Sequence, residues 1–123
     1  MADASNDAPI KTADRGDWTV IRITEASLMD TAVIEQVNEA IQGKIQAGRR
    51  NLILDFKYVE YISSSMIGTL VGAAQNTKKA KGQLILCAVS DKLQELLKLM
   101  RLDKMFRVEQ DARTALKQVG AVE

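Results

Sequence analysis

The sequence predicts an α/β fold: a small mixed sheet of four to five strands, mostly parallel, flanked by about four helices. Three observations carry this. After an opening hairpin, the apolar period switches repeatedly between that of a strand and that of a helix, so the two alternate to the end of the chain. The runs "RNLILDFKYV" and "QLILCAV" are apolar without alternation, which suits strands covered on both faces. The single proline, Pro9, interrupts no element, and 123 residues suit one compact domain.

Each element has its own signal. "WTVIRITEA" sets Val20, Arg22 and Thr24 against Thr19, Ile21 and Ile23 at a period of two. A short strand near Ile10 to Ala13, turned by "DRGD", makes it a hairpin whose first strand lies antiparallel at one end of the sheet. From Asp30, Val33, Val37, Ile41 and Ile45 recur in helical steps with Ile34 beside them, and Gly48 stops the helix. "RNLILDFKYV" is the next strand and leads into three serines; a second helix then carries Ile67, Leu70, Val71 and Ala74 inward. Gly82 separates it from "QLILCAV". Ser90 and Asp91 can cap a third helix bearing Leu93, Leu96, Leu97 and Met100. "MFRVE" reads as a short strand, and a last helix starts near Asp111. Leu99, Met100, Leu102 and Met105 are expected as core and helix-end contacts, and Trp18 as packing. The domain is expected over residues 9–120, after a polar leader over residues 1–8.

Composition narrows the chemistry. Lys plus Arg number 17 against 16 Asp plus Glu, which gives no reason to expect broad electrostatic binding of nucleic acid or an anionic membrane. The absence of histidine removes imidazole metal sites and the commonest general base near neutral pH. No enzyme activity and no cofactor are expected. Cys87, the only cysteine, lies in an apolar strand and reads as a buried small thiol. No apolar stretch approaches the ~20 residues of a membrane span, and the leader lacks the features of a signal peptide, so a cytoplasmic location is expected.

Ser63, Ser64 and Ser65 stand where strand gives way to helix. One serine oxygen is a preferred acceptor for the free N–H groups of a first helical turn. A single cap needs one serine; three leave at least one hydroxyl over, at a strand–helix junction of the kind that carries function in open α/β folds. Cap and site both stand as readings at this point. A nucleophilic role fails for want of a base: no histidine exists and no S-x-x-K spacing occurs. Gly68 and Gly72 come without a phosphate-loop pattern. A hydroxyl modified by another enzyme remains.

"YVEYISSSMIGTLVGAA" resembles the signature of STAS domains of the anti-sigma factor antagonist type, in which an apolar strand leads to Asp-Ser-Ser/Thr-Gly-Leu-Gly at a helix start. The resemblance extends through "WTVIRITEASLMDTAVIEQV", "KGQLILCAVSDKLQELLKLMRLDKMF" and "RVEQDARTAL", about residues 10 to 119. It implies a single STAS-type domain. Ser63 occupies the family's Asp position, Ser64 that of the phosphorylated serine and Ser65 that of the following Ser/Thr; Met66 replaces Gly, Ile67 replaces Leu, and Gly68 matches. The implied function is a partner switch: the unmodified protein binds a serine kinase that doubles as anti-sigma factor, phosphorylation at Ser64 releases it, and a serine phosphatase resets it. Ser63 or Ser65 is the alternative acceptor. The alternative role is a constitutive scaffold, such as a stressosome-like subunit or a soluble subunit of a lipid-transport complex.

With Ile67, Leu70, Val71 and Ala74 inward, a helical projection turns Ser65, Thr69, Gly72, Ala73 and Asn76 outward. That face is small and uncharged. The expectation is a partner-docking patch of Ser63, Ser64, Ser65, Met66, Thr69, Gly72 and Ala73, the alternative being a neighbouring helix laid over the same face. Asp30 caps the first helix or contributes to partner recognition.

Overall fold

The computed structural model describes residues 9–121; the expected leader lies outside them. Among the described residues seven strands and four helices follow one another: β1 (Ile10–Arg15), β2 (Trp18–Ile23), β3 (Ser27–Leu28), α1 (Thr31–Gln46), β4 (Asn51–Asp55), β5 (Tyr61–Ile62), α2 (Ser64–Lys79), β6 (Gln83–Cys87), α3 (Asp91–Leu99), β7 (Arg107–Glu109) and α4 (Ala112–Gln118). The main sheet has the order β1-β2-β4-β6-β7, with β1 antiparallel to β2 and every other pair parallel. The predicted class is therefore observed, including the antiparallel edge. The hairpin is longer than expected: Arg15 pairs with Trp18, so Gly16 and Asp17 form a two-residue turn, and Gly16 supplies the positive φ (61°) that such a turn needs. Arg49 clamps this turn by donating to the carbonyls of Gly16 (2.8 Å) and Trp18 (2.9 Å).

Side chains of the parallel strands alternate between two cores, which is why their sequences do not alternate in polarity. Ile21, Ile23, Leu52, Leu54 and Leu86 meet α1, α2 and α3 through Ile34, Val37, Ile41, Leu70, Leu93 and Leu97. On the opposite face Trp18, Val20, Ile53, Ile85 and Cys87 meet Ala115 and Leu116 of α4. Three helices thus cover one face and one short helix the other. No helix among the described residues is long and apolar enough to cross a membrane.

The run "RNLILDFKYV" is not one strand. It breaks at Asp55, whose carboxylate accepts the N–H of Lys57 at 3.0 Å and turns the chain; Phe56 N–H bonds across to Cys87 O at 2.9 Å, and Val59 N–H returns to Phe56 O. The chain then re-enters as β5, paired in parallel with β3 in a separate two-stranded sheet. The serines consequently follow this small sheet rather than the end of β4. Leu102 packs against the core as expected, but Leu99, Met100 and Met105 are exposed. Leu93 and Leu97, one helical turn apart, take the buried stripe of α3, which leaves Leu99 and Met100 on its outer side.

Candidate functional site

The site begins with how the first turn of α2 is closed. Ser63 is extended (φ −91°, ψ 167°) and is held at three points. Its N–H donates to Leu28 O in β3 at 3.0 Å, its carbonyl accepts Ile67 N–H at 3.1 Å, and its hydroxyl accepts Met66 N–H at 3.2 Å. Of the N–H groups that a helix leaves open at its start, two are thereby satisfied. Those of Ser64 and Ser65 remain open to solvent. Both residues are exposed, and no hydrogen bond among the described residues engages either hydroxyl. One serine is the cap, and two hydroxyls stand free beside unpaired donors on the positive end of a 16-residue helix.

Asp30 caps α1, its carboxylate accepting Ala32 N–H at 2.8 Å. It lies two residues past Leu28, the strand residue that holds Ser63, so the starts of α1 and α2 are tied to the same small sheet.

Two members of the expected patch are not on the surface. Met66 and Ala73 are both 0 % exposed and belong to the main core. The buried residues of α2 are Met66, Ile67, Leu70, Ala73 and Thr77: Ile67 and Leu70 lie inward as expected, and the stripe is rotated from the projected one to take in Met66, Ala73 and Thr77 because the helix must meet α1 as well as the sheet. Val71 and Ala74 are only half-buried at the edge of that stripe. Asn76, expected outward, faces α1 and donates to Gln42 at 2.9 Å. A neighbouring helix does cover part of the projected face. The Met66 side chain therefore supports the turn from beneath instead of lying beside the hydroxyls.

Before the lysines of its last turn, Lys78 and Lys79, α2 presents Ser64, Ser65, Gly68 and Gln75 to solvent, with Thr69 and Gly72 half-exposed. Thr69 turns its hydroxyl back to Ser65 O at 3.2 Å. A Cβ built on Gly68 or Gly72 meets nothing within 4 Å, so packing inside the domain requires neither glycine. Glycine in a helix interior costs ~1 kcal/mol relative to alanine.

Beside this face runs a feature that sequence reasoning did not anticipate. β5, immediately before Ser63, bounds with β3 and α3 a groove of about 430 Å³ lined by Met29, Tyr61, Ile62, Leu93, Leu96 and Leu99. Leu99 is 81 % exposed, Met29 58 % and Tyr61 50 %, an unusual gathering of large apolar side chains in water. Glu60, Lys92 and Glu95 edge it, and the Lys92 ammonium sits 4.7 Å from the centre of the Tyr61 ring. A signal existed in "DKLQELLKL": its four leucines are more than one buried stripe of a short helix can take. The two-residue strand β3 has no legible period.

Cys87 is fully buried between the sheet and α4, and burial, followed by the nearby Asp55 carboxylate, pushes its thiol up to about 12. Burial thus keeps the thiol protonated at physiological pH.

A model of the STAS domain matches residues 9–115. Over 97 residues the chain is 24% identical to BtrV of Bordetella bronchiseptica, a protein assigned to the anti-sigma factor antagonists; the match covers 79% of this chain and 83% of BtrV. Its fold is similar to that of an anti-sigma-factor antagonist (STAS) domain protein from Planctomyces limnophilus, at a TM-score of 0.78 and 22% identity over 90% of this chain and 97% of the other. It is similar also to the Bacillus cell fate determinant SpoIIAA in its phosphorylated form, at a TM-score of 0.72 and 20% identity over 89% and 98% of the two chains. With a five-stranded sheet edged by one antiparallel strand, four helices and a family match across most of its length, the chain belongs to the STAS domain family.

Proposed function

We propose that this protein is an anti-sigma factor antagonist of the partner-switching kind, which binds a serine-kinase anti-sigma factor through the start of α2 and is released when Ser64 is phosphorylated. The observation that carries this reading is the division of labour among the serines. Ser63 performs the capping, so Ser64 is left exposed with its hydroxyl unengaged and with its own N–H and that of Ser65 open in the same turn. A phosphate there adds about −1.5 to −2 charge, which the helix start tolerates. The fold survives modification, and the effect falls on whatever is docked against the turn.

The docking face consists of Ser64, Ser65, Gly68, Thr69 and Gly72, with Ser63 and Asp30 at its border. The two glycines favour this reading because they leave a helix surface without side chains that nothing inside the domain needs, and a partner backbone gains close approach. The groove of Tyr61 and Leu99 continues the face across β5 and offers the apolar burial that a hydroxyl-lined helix end lacks. A serine phosphatase completes the cycle, and the protein itself performs no catalysis.

The test is incubation of the protein with a candidate serine-kinase anti-sigma factor and ATP, followed by mapping of phosphate by mass spectrometry. Phosphate on Ser64 is expected, together with loss of kinase binding by Ser64→Asp. Phosphate on Ser63 or Ser65 instead would move the switch by one residue. A protein left unmodified over residues 63–65, yet bound constitutively to other STAS proteins or to transport subunits, would be a scaffold.

A further inference from the structure

The near balance of charge in the chain conceals a separation in space. The parallel strands are all entered at one end of the sheet and the helices between them finish there, so the ends of α1, α2 and α3 gather beside the starts of β4, β6 and β7. At that end α2 and β6 meet the turn before β7 around a concavity of about 390 Å³. Buried Leu84, Ile85 and Phe106 form its floor, and exposed Lys78, Lys104 and Arg107 its rim. Lys79 and Lys81 at the end of α2 and Arg101 after α3 are exposed as well. Arg107 is engaged with Glu109 at 2.8 Å and Gln118 at 2.9 Å, but Lys78, Lys79, Lys81, Arg101 and Lys104 enter no ion pair among the described residues. Asp103 is the one acid between α3 and β7.

An independent observation concerns the backbone. Each of the four helices is followed, one residue past its cap, by a residue of positive φ: Gly48 (91°), Lys81 (64°), Arg101 (60°) and Gly120 (74°). Glycine adopts this conformation freely, whereas a side chain is strained in it. The helix dipole favours cations in a last turn, where Lys44, Lys79, Lys98 and Lys117 stand, but it calls for none at the strained position. Cations occupy that position only after α2, which walls the concavity, and after α3, whose following turn does. The same turn sets apolar side chains among the charges: Met105, on the wall of the concavity, is 47 % exposed and Met100 45 %.

We propose that this end of the domain rests on the surface of an anionic lipid bilayer, with Lys78, Lys81, Arg101 and Lys104 against the headgroups and Met105 entering the boundary with the acyl chains. Unpaired cations interleaved with flexible apolar side chains meet both requirements of such a contact, charge for the headgroups and apolar area for the layer beneath. A single-stranded nucleic acid would call instead for aromatic rings on which bases stack, and the exposed rings, Tyr58 and Tyr61, stand at the opposite end, just before Ser63. That opposite end carries Asp30, Asp91 and Asp111 at the starts of the helices, so the separation of charge turns it away from an anionic surface. Ser64 lies across the 16 residues of α2 from this contact, about 24 Å of helix, and stays accessible on the docked domain. The contact does not depend on the partner-switching reading.

The experiment is co-sedimentation of the full chain with vesicles of phosphatidylcholine and phosphatidylserine in equal parts, and in parallel with vesicles of phosphatidylcholine alone. Binding to the mixed vesicles only, and release at high salt, are expected. Each cation near an anionic surface is worth about five-fold in partitioning, so Lys78→Gln/Lys104→Gln should bind at least about ten-fold more weakly, with an unchanged thermal melt. Met105→Ser should weaken binding about three-fold through lost apolar contact, and Lys57→Gln/Lys92→Gln, at the opposite end, should bind as the parent does. No binding to mixed vesicles, equal weakening by the two lysine pairs, or full binding by Met105→Ser would overturn the proposal. Displacement of the protein from mixed vesicles by duplex DNA would overturn it too, by assigning the surface to nucleic acid.

Discussion

The Ser63 hydroxyl accepts the backbone N–H of Met66 at 3.2 Å, while Ser64, its neighbour, keeps a hydroxyl that bonds to nothing described. Capping and, in the function proposed above, modification fall to adjacent side chains, and substitutions should separate them. Ser63→Ala should lose ~1 kcal/mol in urea unfolding, and Ser63→Asp should retain the parent's stability because a carboxylate caps equally well and suits the helix dipole. Ser64→Ala should change stability by less than ~0.5 kcal/mol. A loss at Ser64 as large as that at Ser63 would show the wrong serine has been named as cap.

Gly72, in the middle of α2, and Gly82, three residues beyond its end, should behave in opposite ways. A Cβ at Gly82 would overlap the carbonyl and Cβ of Arg50, where β4 and β6 are entered side by side, and backbone cannot yield there. Gly82→Ala should cost ~3 kcal/mol or more, or prevent soluble expression. Gly72→Ala meets open space and should stabilise the free protein by ~0.5 to 1 kcal/mol, seen as a raised Tm. The same change, and more so Gly72→Arg, should weaken binding of the anti-sigma factor. A Gly72→Arg protein that binds normally removes α2 from the interface.

These contrasts also explain which parts of the molecule were legible in the sequence. Element order, the antiparallel edge and the caps at Asp30, Ser90 and Asp111 follow from short-range rules, because periodicity and capping act over a few residues. The facing of α2 was not legible. Ala73 and Thr77 are small enough to suit either side, and what turns them inward is α1, packed across from a distant part of the chain. Nor was the division of "RNLILDFKYV" into β4 and β5: the break rests on Asp55 turning the chain and on Ala26 O receiving the N–H groups of Glu60 and Tyr61, which is a tertiary contact. The groove exists only because that break creates the small β3–β5 sheet.

Stability should be widest between mildly acidic pH and about pH 9. Asp14 is held below its ordinary value first by the Thr19 hydroxyl, and Asp111 by the Thr114 N–H. Carboxylates depressed in the folded state stabilise above their unfolded value of 3.8 and lose that contribution as pH falls through the folded value, so unfolding should ease below about pH 4. Cys87 works at the other end. Its folded value of about 12 lies above the unfolded 9.0, so the preference for the neutral thiol is fully present below 9 and is lost as pH rises towards 12. In the native protein at pH 8 a thiol reagent should react at the rate of global opening, and in denaturant at once. Fast reaction in the native protein would contradict the burial of this thiol.

Leu99 offers the most direct probe of the groove because it contributes least to the domain itself. At 81 % exposure its side chain has little to lose on replacement, so Leu99→Ser should shift stability by less than ~0.5 kcal/mol. If a partner covers the groove, the same side chain passes from water into an apolar contact worth ~1.5 to 3 kcal/mol, and its removal should weaken the complex about ten- to a hundred-fold. Tyr61→Ala should act in the same direction, since its ring forms the opposite wall under Lys92. Calorimetric titration of each variant with the proposed kinase partner checks this, paired with a thermal melt of the free protein. Normal affinity in both variants would confine the interface to the serine face, whereas weakened affinity with unchanged melting assigns the groove to the partner.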